Sequence, residues 1–182
     1  MALRRIVKFP DPILRQATVA VGDVAAHPDL AKLVADMTDT MYAANGAGLA
    51  AIQVGDHRRL FIIDAAIGGG AEGDPPRVFI DPQITWLSSE TEATEEGCLS
   101  FPGIYLDVKR SLRATIQATG LDGARFEITA EGLYARALQH ENDHLTGKLL
   151  VDFAGPLKRQ MIKRKMERAN RAELEETEAA AK

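Results

Sequence analysis

Apolar residues recur with helical spacing in an early stretch of the chain. Residues 28–44 place them on one face of a 3.6-residue period, which predicts an amphipathic helix. That face consists of Leu30, Leu33, Val34, Met37 and Met41. Asn45 and Gly46 then supply residue types that end helices, so we expect the helix to stop there.

The middle of the chain consists of short segments with strand character. Residues 60–63 form a continuous apolar run typical of a buried strand, and residues 112–118 alternate apolar and polar side chains. In chain order, the predicted pieces are strand 60–63, a polar loop 68–76, extended segments 78–86 and 90–95, strand 112–118, a turn at Asp122 and Gly123, and a partner strand with Phe126 and Ile128.

A second helix is predicted after these strands, and two histidines lie on its apolar stripe. The stripe consists of Leu133, Ala137, His140 and His144, at spacings of four, three and four. The opposite, wetter side is expected to carry Arg136, Gln139 and Asp143. Both imidazoles should therefore face inward, and Gly147 is a natural stop for the helix.

Composition and element order together predict one α+β domain over residues 1–182. We expect mostly antiparallel sheets packed around the histidine-bearing helix, with a further helix at the C-terminus. A length of 182 residues and a hydrophobic fraction of 46% suit a single buried core. The net charge of −4 gives no general signal for nucleic acid or membranes. No signal peptide or membrane-length apolar run is evident, so we expect a cytoplasmic monomer.

The two histidines belong to the pattern His-Glu-x-x-His, formed by His140, Glu141 and His144. On an α-helix, residues four apart are separated by about 40° around the axis and roughly 6 Å along it. Two such imidazoles can grip one metal ion, and the neighbouring carboxylate can reach a water activated by that ion. The chain has only four histidines, so this pairing favours metal-assisted hydrolysis over ordinary surface histidines.

A hydrolytic metal site needs a third protein ligand, and the sequence offers few candidates. The metzincin pattern requires a histidine where this chain has Leu150, and Glu167 lies among basic residues typical of a solvated helix face. Cys98, the single cysteine, follows Gly97 and precedes a turn at Pro102. A lone cysteine is commonly a small buried apolar residue. A thiolate with two imidazoles, however, would leave a fourth position open, as catalytic sites do.

Three motifs, in this order, resemble those of the peptide deformylase family. They are Gly46-Ala47-Gly48-Leu49-Ala50-Ala51-Ile52-Gln53, Glu96-Gly97-Cys98-Leu99-Ser100 and Gln139-His140-Glu141-Asn142-Asp143-His144-Leu145. Residues 5–15 also resemble the family's amino terminus, so the likeness runs from near the start to the basic helix after Pro156. Ala47 departs from the family pattern, which usually has a branched apolar residue there, lining the methionine pocket.

The resemblance implies a hydrolase that releases formate from the N-terminal formyl-methionine of newly made proteins. It implies one divalent metal ion held by Cys98, His140 and His144, with Fe(II) in the cell and zinc, nickel or cobalt able to replace it. Glu141 would transfer protons. The Gln53 side-chain amide and the Leu99 backbone N–H would donate to the oxyanion.

Further residues are expected to bind the peptide or support the site. The substrate should lie along Gly46, Ala47, Gly48 and Gly97 as an added strand, although these glycines can also serve as simple turns. Leu133 and Ala137 are expected pocket walls. The resemblance implies that Glu96 and Arg110 pair and brace the site, although many charge pairs are only surface contacts.

The C-terminal segment divides by charge into a basic helix, about 156–172, and an acidic tail, 173–182, which is expected to fray. Leu157, Met161 and Met166 can form an apolar stripe on the helix. Its basic face suits either solvation or docking on ribosomal RNA, as in some deformylases. Two alternatives remain open for the whole protein: a zinc peptidase built on the same helix, and a non-catalytic ribosome-associated relative.

Overall fold

Three α-helices and seven β-strands form the part of the chain that the structure, a computed structural model, describes: residues 2–71 and 73–180. In chain order they are α1 (Leu30–Ala43), β1 (Gly48–Ala50), β2 (Leu60–Ile63), β3 (Arg77–Leu87), β4 (Thr91–Gly97), β5 (Tyr105–Ser111), β6 (Arg113–Thr119), β7 (Arg125–Glu131), α2 (Gly132–His144) and α3 (Pro156–Ala180).

The strands form two antiparallel sheets, which confirms the predicted α+β class. Five strands make one sheet in the order β1-β2-β3-β6-β7, and β4 pairs with β5 in the other. Helix α2 packs on the larger sheet, where its Ala135 and Leu138, with Leu145 just after the helix, join a core with residues such as Phe61 and Ile116. Burying this apolar stripe fixes the position of the histidine-bearing helix.

The helix α1 matches its prediction closely. It begins at Leu30 and ends at Ala43, and its apolar face is buried. Leu33, Met37 and Met41 pack in one cluster with residues of β2 and β3. Helical periodicity alone was sufficient to predict this helix and its buried face, because that face is uniformly apolar.

The inward face of α2 differs from the predicted one. Leu133 is 65% exposed, whereas Gln139 is buried and the side chains of Arg136 and Asp143 are only 12% and 19% exposed. The prediction that these three polar residues face water is wrong. Each has a partner on a neighbouring element; Gln139, for instance, accepts from the backbone N–H of Ser111 and donates to its carbonyl oxygen. Hydrogen bonding makes their burial possible.

Two strands, β1 and β5, were not predicted. In β5 the inward positions are Leu106, Val108 and Arg110, alternating with exposed residues. A strand signal depends on apolar residues at alternate positions, and the buried Arg110 interrupts it. This hairpin matters to the site, because β4 ends at Gly97, immediately before Cys98.

Helix α3 packs through a different stripe from the predicted one. Ile162 and Met166 are buried in a cluster with Phe101, while Leu157 and Met161 are 73% and 63% exposed. Leu157 and Met161 therefore do not share the buried face of Met166, and the prediction of one stripe for all three residues is wrong. In the described part of the chain, no helix combines the length and apolar character needed to cross a bilayer.

The acidic segment after residue 172 continues the same helix to Ala180. Glu173 forms an ion pair with Lys8, and Asn170 Nδ2 donates to the carbonyl oxygen of Phe9 at 2.9 Å. These contacts hold the helix against the N-terminal segment. Asn170 lies one turn before the acidic stretch, and Glu173 lies within it. Residues 181 and 182 of the predicted tail lie outside the described residues.

A buried carboxylate on α1 anchors the N-terminal segment. Asp36 accepts hydrogen bonds from Lys32 Nζ at 2.7 Å, the Ala2 backbone N–H at 3.2 Å and the Arg4 guanidinium at 3.2 Å. The Lys32 hydrogen bond, assisted by those from Ala2 and Arg4, lowers the pKa of Asp36 to about 2.

The variant Asp36→Asn should unfold at a lower urea concentration than the parent protein at pH 6. Because the folded-state pKa lies below the unfolded-state value of about 3.9, the stabilisation is fully present above that value. It is lost as the pH falls toward 2. The difference between the two urea midpoints should therefore shrink steadily below about pH 4. An equal difference at pH 6 and pH 3 would contradict this assignment.

Candidate metal centre and active site

Cys98, His140 and His144 converge in space although they lie far apart along the chain. One ligand atom from each lies within 4.8 Å of the others, and Cys98 Sγ is 3.3 Å from His144 Nε2. The other candidate ligand, Glu167, lies on α3 and faces Lys163 instead. Of these two candidate third ligands, only the cysteine reaches the histidine pair.

Local backbone structure brings the thiol to the imidazoles. β4 ends at Gly97, and a turn then follows in which the Phe101 backbone N–H donates to the Cys98 carbonyl oxygen at 2.8 Å. A side chain at Gly97 would place its Cβ 2.9 Å from the Tyr105 ring. The glycine thus permits a close approach by the opposite strand of the hairpin. The two histidines come from successive turns of α2.

The chemistry of these three groups suits a transition-metal ion. A thiolate and two imidazoles form a donor set typical of catalytic metal sites with an open position. Nδ1 of His140 lies 3.0 Å from Glu96 Oε2. Since an ionised carboxylate can only accept, this nitrogen carries the proton and Nε2 remains available as a ligand.

Glu96 is the centre of a buried ionic network. Arg110 donates to it in a bidentate manner, from Nε at 2.9 Å and Nη2 at 3.0 Å, and Arg136 Nη1 donates at 2.7 Å. Arg110 Nη1 also donates to Asp143 at 2.6 Å. Burial alone would raise the pKa of Glu96, but the hydrogen bonds from His140 and Arg110 hold it at about 2. The predicted pair of Glu96 and Arg110 is therefore part of a larger cluster.

Glu141 lies inside the site beside Gly48. Its carboxylate is buried, and Oε2 has no hydrogen-bond partner. A side chain at Gly48 would place its Cβ 2.5 Å from Glu141 Oε1, so this glycine makes room for the carboxylate. Burial raises the pKa of Glu141 to about 7, although the positive charges of His140 and Arg110 oppose the shift. A carboxyl group that titrates near neutral pH is suited to proton transfer.

Gln53 is held in one orientation by three neighbours. Its Oε1 accepts from the Ala50 backbone N–H at 2.9 Å, and its Nε2 lies 3.1 Å from Ser100 Oγ and 3.6 Å from Cys98 Sγ. The amide donor therefore points toward Cys98. Leu99 follows Cys98, and its side chain fills the space above Gly46, where a Cβ would meet it at 2.6 Å.

An open cleft with a volume of about 680 Å³ borders these groups. Every predicted site residue except Arg110 and His144 lines it. Leu133 lies at its exposed rim, one helical turn before Ala137, which is less exposed. Three contributors were not predicted: Tyr105 and Arg136, which line the cleft, and Ser100, which is buried behind it. The spacing of Arg136, one helical turn before His140, is the signal that could have identified it.

The chain is similar to known peptide deformylases over most of its length. The family model for polypeptide deformylase matches residues 3–160. A peptide deformylase from Acinetobacter baumannii is 49% identical over 168 residues, covering 92% of each chain. One from Azotobacter vinelandii is 46% identical over 171 residues, covering 94% of this chain and 98% of that one.

Solved structures show the same similarity in three dimensions. The crystal structure of a peptide deformylase from Legionella pneumophila superposes with a TM-score of 0.86 at 42% identity, covering 95% of this chain and 98% of that one. A peptide deformylase from Ehrlichia chaffeensis, solved in complex with actinonin, gives a TM-score of 0.86 at 36% identity, covering 94% and 99%.

The metal-free protein should bind Co²⁺ with a thiolate-to-metal absorption band, because Cys98 is the only thiol. The variants Cys98→Ser and His144→Asn should each bind Co²⁺ more than about 100-fold more weakly, since loss of even an outer partner typically costs 10–100-fold. Competition with a chromophoric chelator measures this affinity. His57→Asn, which alters a histidine outside the cluster, serves as the control and should bind like the parent. Parental affinity in Cys98→Ser would rule out this ligand set.

Proposed function

The chain belongs to the polypeptide deformylase family, and we propose that Cys98, His140 and His144 hold the divalent metal ion on which its reaction depends. The enzyme removes the N-formyl group from the formyl-methionine of newly made proteins and releases formate. The observation that carries our assignment is the convergence of these three ligand atoms beside the buried Glu141. The family match also favours this reaction over that of a zinc peptidase.

Proton transfer is the role that we assign to Glu141. When bound, the ion lowers the pKa of a water molecule so that hydroxide is available near neutral pH. Glu141 accepts the proton of the attacking water and delivers it to the departing amine. Its unpartnered Oε2, its close approach to Gly48 and its place in the sequence next to His140 support this role.

Gln53 and Leu99 are the donors that we assign to the oxyanion. The Nε2 group of Gln53 is directed toward Cys98, and the neighbouring Leu99 lines the cleft. A donor fixed before the reaction needs no reorganisation as negative charge develops. Each such donor lowers the activation barrier by about 3 kcal/mol. The Gln53 amide meets this requirement because Ala50 and Ser100 already fix its orientation.

The peptide binds, in our proposal, as an extended strand along the cleft. β1 is an edge strand of the five-stranded sheet, and Gly46, Ala47 and Gly48 line the cleft at that edge, with Gly97 on the side of the small sheet. Free main-chain groups at such edges can pair with a substrate backbone. Ala137 and Leu133 form the helix side of the cleft. The small side chain of Ala47 leaves more room for the methionine side chain than a branched residue would.

Fe(II) is the metal that we propose for the enzyme in the cell, with zinc, nickel or cobalt able to occupy the same site. The sulfur and nitrogen ligands bind all four metals, so metal supply as well as affinity selects among them. A thiolate and Fe(II) can both be oxidised, so the proposal predicts that activity is lost in air.

The exposed face of α3 is our candidate for contact with the ribosome. Leu157 and Met161 are exposed on this face, and Arg164 and Arg168 follow at helical spacing. Basic side chains bind RNA phosphates, and this face is free of the packing contacts made by Ile162 and Met166. The substrate is a newly made protein, so docking there would bring the enzyme close to emerging chains.

The whole chain, in our proposal, acts as one catalytic domain in a cytoplasmic monomer. Two observations support a single domain: the family model spans residues 3–160, and Ile162 and Met166 of α3 share a core cluster with Phe101, three residues from Cys98. Newly made formylated proteins are the proposed partners, with no membrane partner.

The variant Glu141→Gln should remain folded and bind metal but lose about 10²–10⁴-fold in turnover, because the amide cannot transfer protons. Release of formate from a formyl-Met peptide measures this. Glu131→Gln, which alters an exposed carboxylate just before the same helix, should keep its activity. Parental turnover in Glu141→Gln would exclude the acid–base role.

Enzyme purified without oxygen should contain iron, and its activity should fade in air as the metal and the Cys98 thiolate are oxidised. The nickel-loaded enzyme should lose activity more slowly under the same conditions. Metal analysis and timed formate-release assays provide the measurement. Stable full activity in air with the native metal would argue against Fe(II).

The double variant Arg164→Glu/Arg168→Glu should co-sediment more weakly with ribosomes, and the salt dependence of binding should fall by about one unit of slope for each lost phosphate contact. Formate release from a short peptide checks that the fold is intact. Lys109→Glu/Arg125→Glu makes the same charge change on exposed strand positions and serves as the control. Equal sedimentation of both double variants would remove the docking proposal.

A further inference from the structure

Arg136 joins three parts of the site, and none of the roles assigned above uses it. It lies on α2, one helical turn before His140. Its Nη1 donates to Glu96 Oε1 at 2.7 Å and to the Val108 carbonyl oxygen at 2.8 Å, and its Nη2 donates to the Glu92 carbonyl oxygen at 3.0 Å. One guanidinium thus connects the metal-binding helix to both strands of the β4–β5 hairpin.

The hydrogen bonds to Glu96 are divided between its two oxygens. Oε1 accepts from Arg110 Nε and Arg136 Nη1. Oε2 accepts from Arg110 Nη2 and His140 Nδ1. With Oε1 occupied by two guanidinium groups, the carboxylate cannot rotate away, and Oε2 remains directed at the imidazole. Arg136 therefore acts on the same carboxylate that orients the metal ligand.

Charge balance gives Arg136 a second reason to be present. Arg110 serves two carboxylates, because its Nη1 donates to Asp143 while Nε and Nη2 donate to Glu96. Asp143 also pairs with Lys148 at 3.4 Å. Without Arg136, however, the only arginine on Glu96 in the described part of the chain would be one that it shares with Asp143. A buried charge with too few partners is strongly unfavourable, so the carboxylate would shift toward other donors or solvent.

We propose that Arg136 is a positioning residue that holds the metal ligand His140 through Glu96. This inference rests on the proposed metal site and extends it. In addition to lining the cleft, Arg136 would help to position a metal ligand. Outer partners of ligating histidines fix the ring orientation, and their loss typically weakens metal binding by 10–100-fold.

The test compares Co²⁺ affinity, measured by chelator competition, in the parent and three variants. Arg136→Met should bind about tenfold more weakly, with the thiolate absorption band retained because all three ligands remain. Arg136→Lys should recover part of the loss, since one ammonium keeps the charge but cannot reach all three acceptors. Gln139→Met removes the hydrogen bonds between α2 and Ser111 without touching Glu96, and it should bind like the parent.

A second readout follows the His140 Nδ1 proton by NMR in the zinc-loaded, ¹⁵N-labelled protein. This proton should exchange with solvent faster in Arg136→Met and Arg136→Lys than in the parent or in Gln139→Met. If Arg136→Met does not fold, the exchange rate of the His140 Nδ1 proton in Arg136→Lys tests the proposal instead. Affinity within twofold of the parent and unchanged exchange would overturn the proposal, as would equal losses in Arg136→Met and Gln139→Met. Failure of the parent itself to bind metal would instead refute the metal site.

Discussion

The buried carboxylate of Glu96 is the interaction on which the site depends. It lies at the end of β4 and receives hydrogen bonds from Arg110 on β5 and from Arg136 and His140 on α2. One carboxylate therefore fixes the hairpin to the helix where Cys98 must meet the imidazoles. Removing one partner of a buried ion pair typically costs about 3–5 kcal/mol, so the arrangement resists displacement. The same hydrogen bonds therefore hold both the local fold and the proposed metal ligands in place.

Empty space is as important to the site as its contacts. Gly48 leaves room for the Glu141 carboxylate, and Gly46 leaves room for the side chain of Leu99. A methyl group at either position would displace a neighbouring side chain, because protein interiors are close-packed. The two glycines of the first motif therefore do more than allow a turn. They make room for the Glu141 carboxylate and for Leu99 of the second motif.

Sequence patterns correctly predicted elements that depend on local periodicity. They failed where contacts with residues distant in sequence determine which side chains are buried. Helix α1 followed from its uniformly apolar face, and the ligand pair on α2 from helical spacing. The wet face of α2 was wrong because Arg136 and Gln139 are buried by partners on other elements. Strand β5 was missed because Arg110 occupies one of its inward positions. The position of Cys98 beside the histidines follows from no local periodicity; it was predicted by excluding other ligands and by the resemblance of three motifs.

The most direct test of this account is anomalous diffraction from crystals of the cobalt-loaded protein, measured on both sides of the cobalt absorption edge. The account predicts a single strong peak bonded to Cys98 Sγ and to one nitrogen each of His140 and His144, with Glu96 still in contact with His140 Nδ1. A peak bound elsewhere, or one that the Cys98 sulfur does not touch, would contradict it.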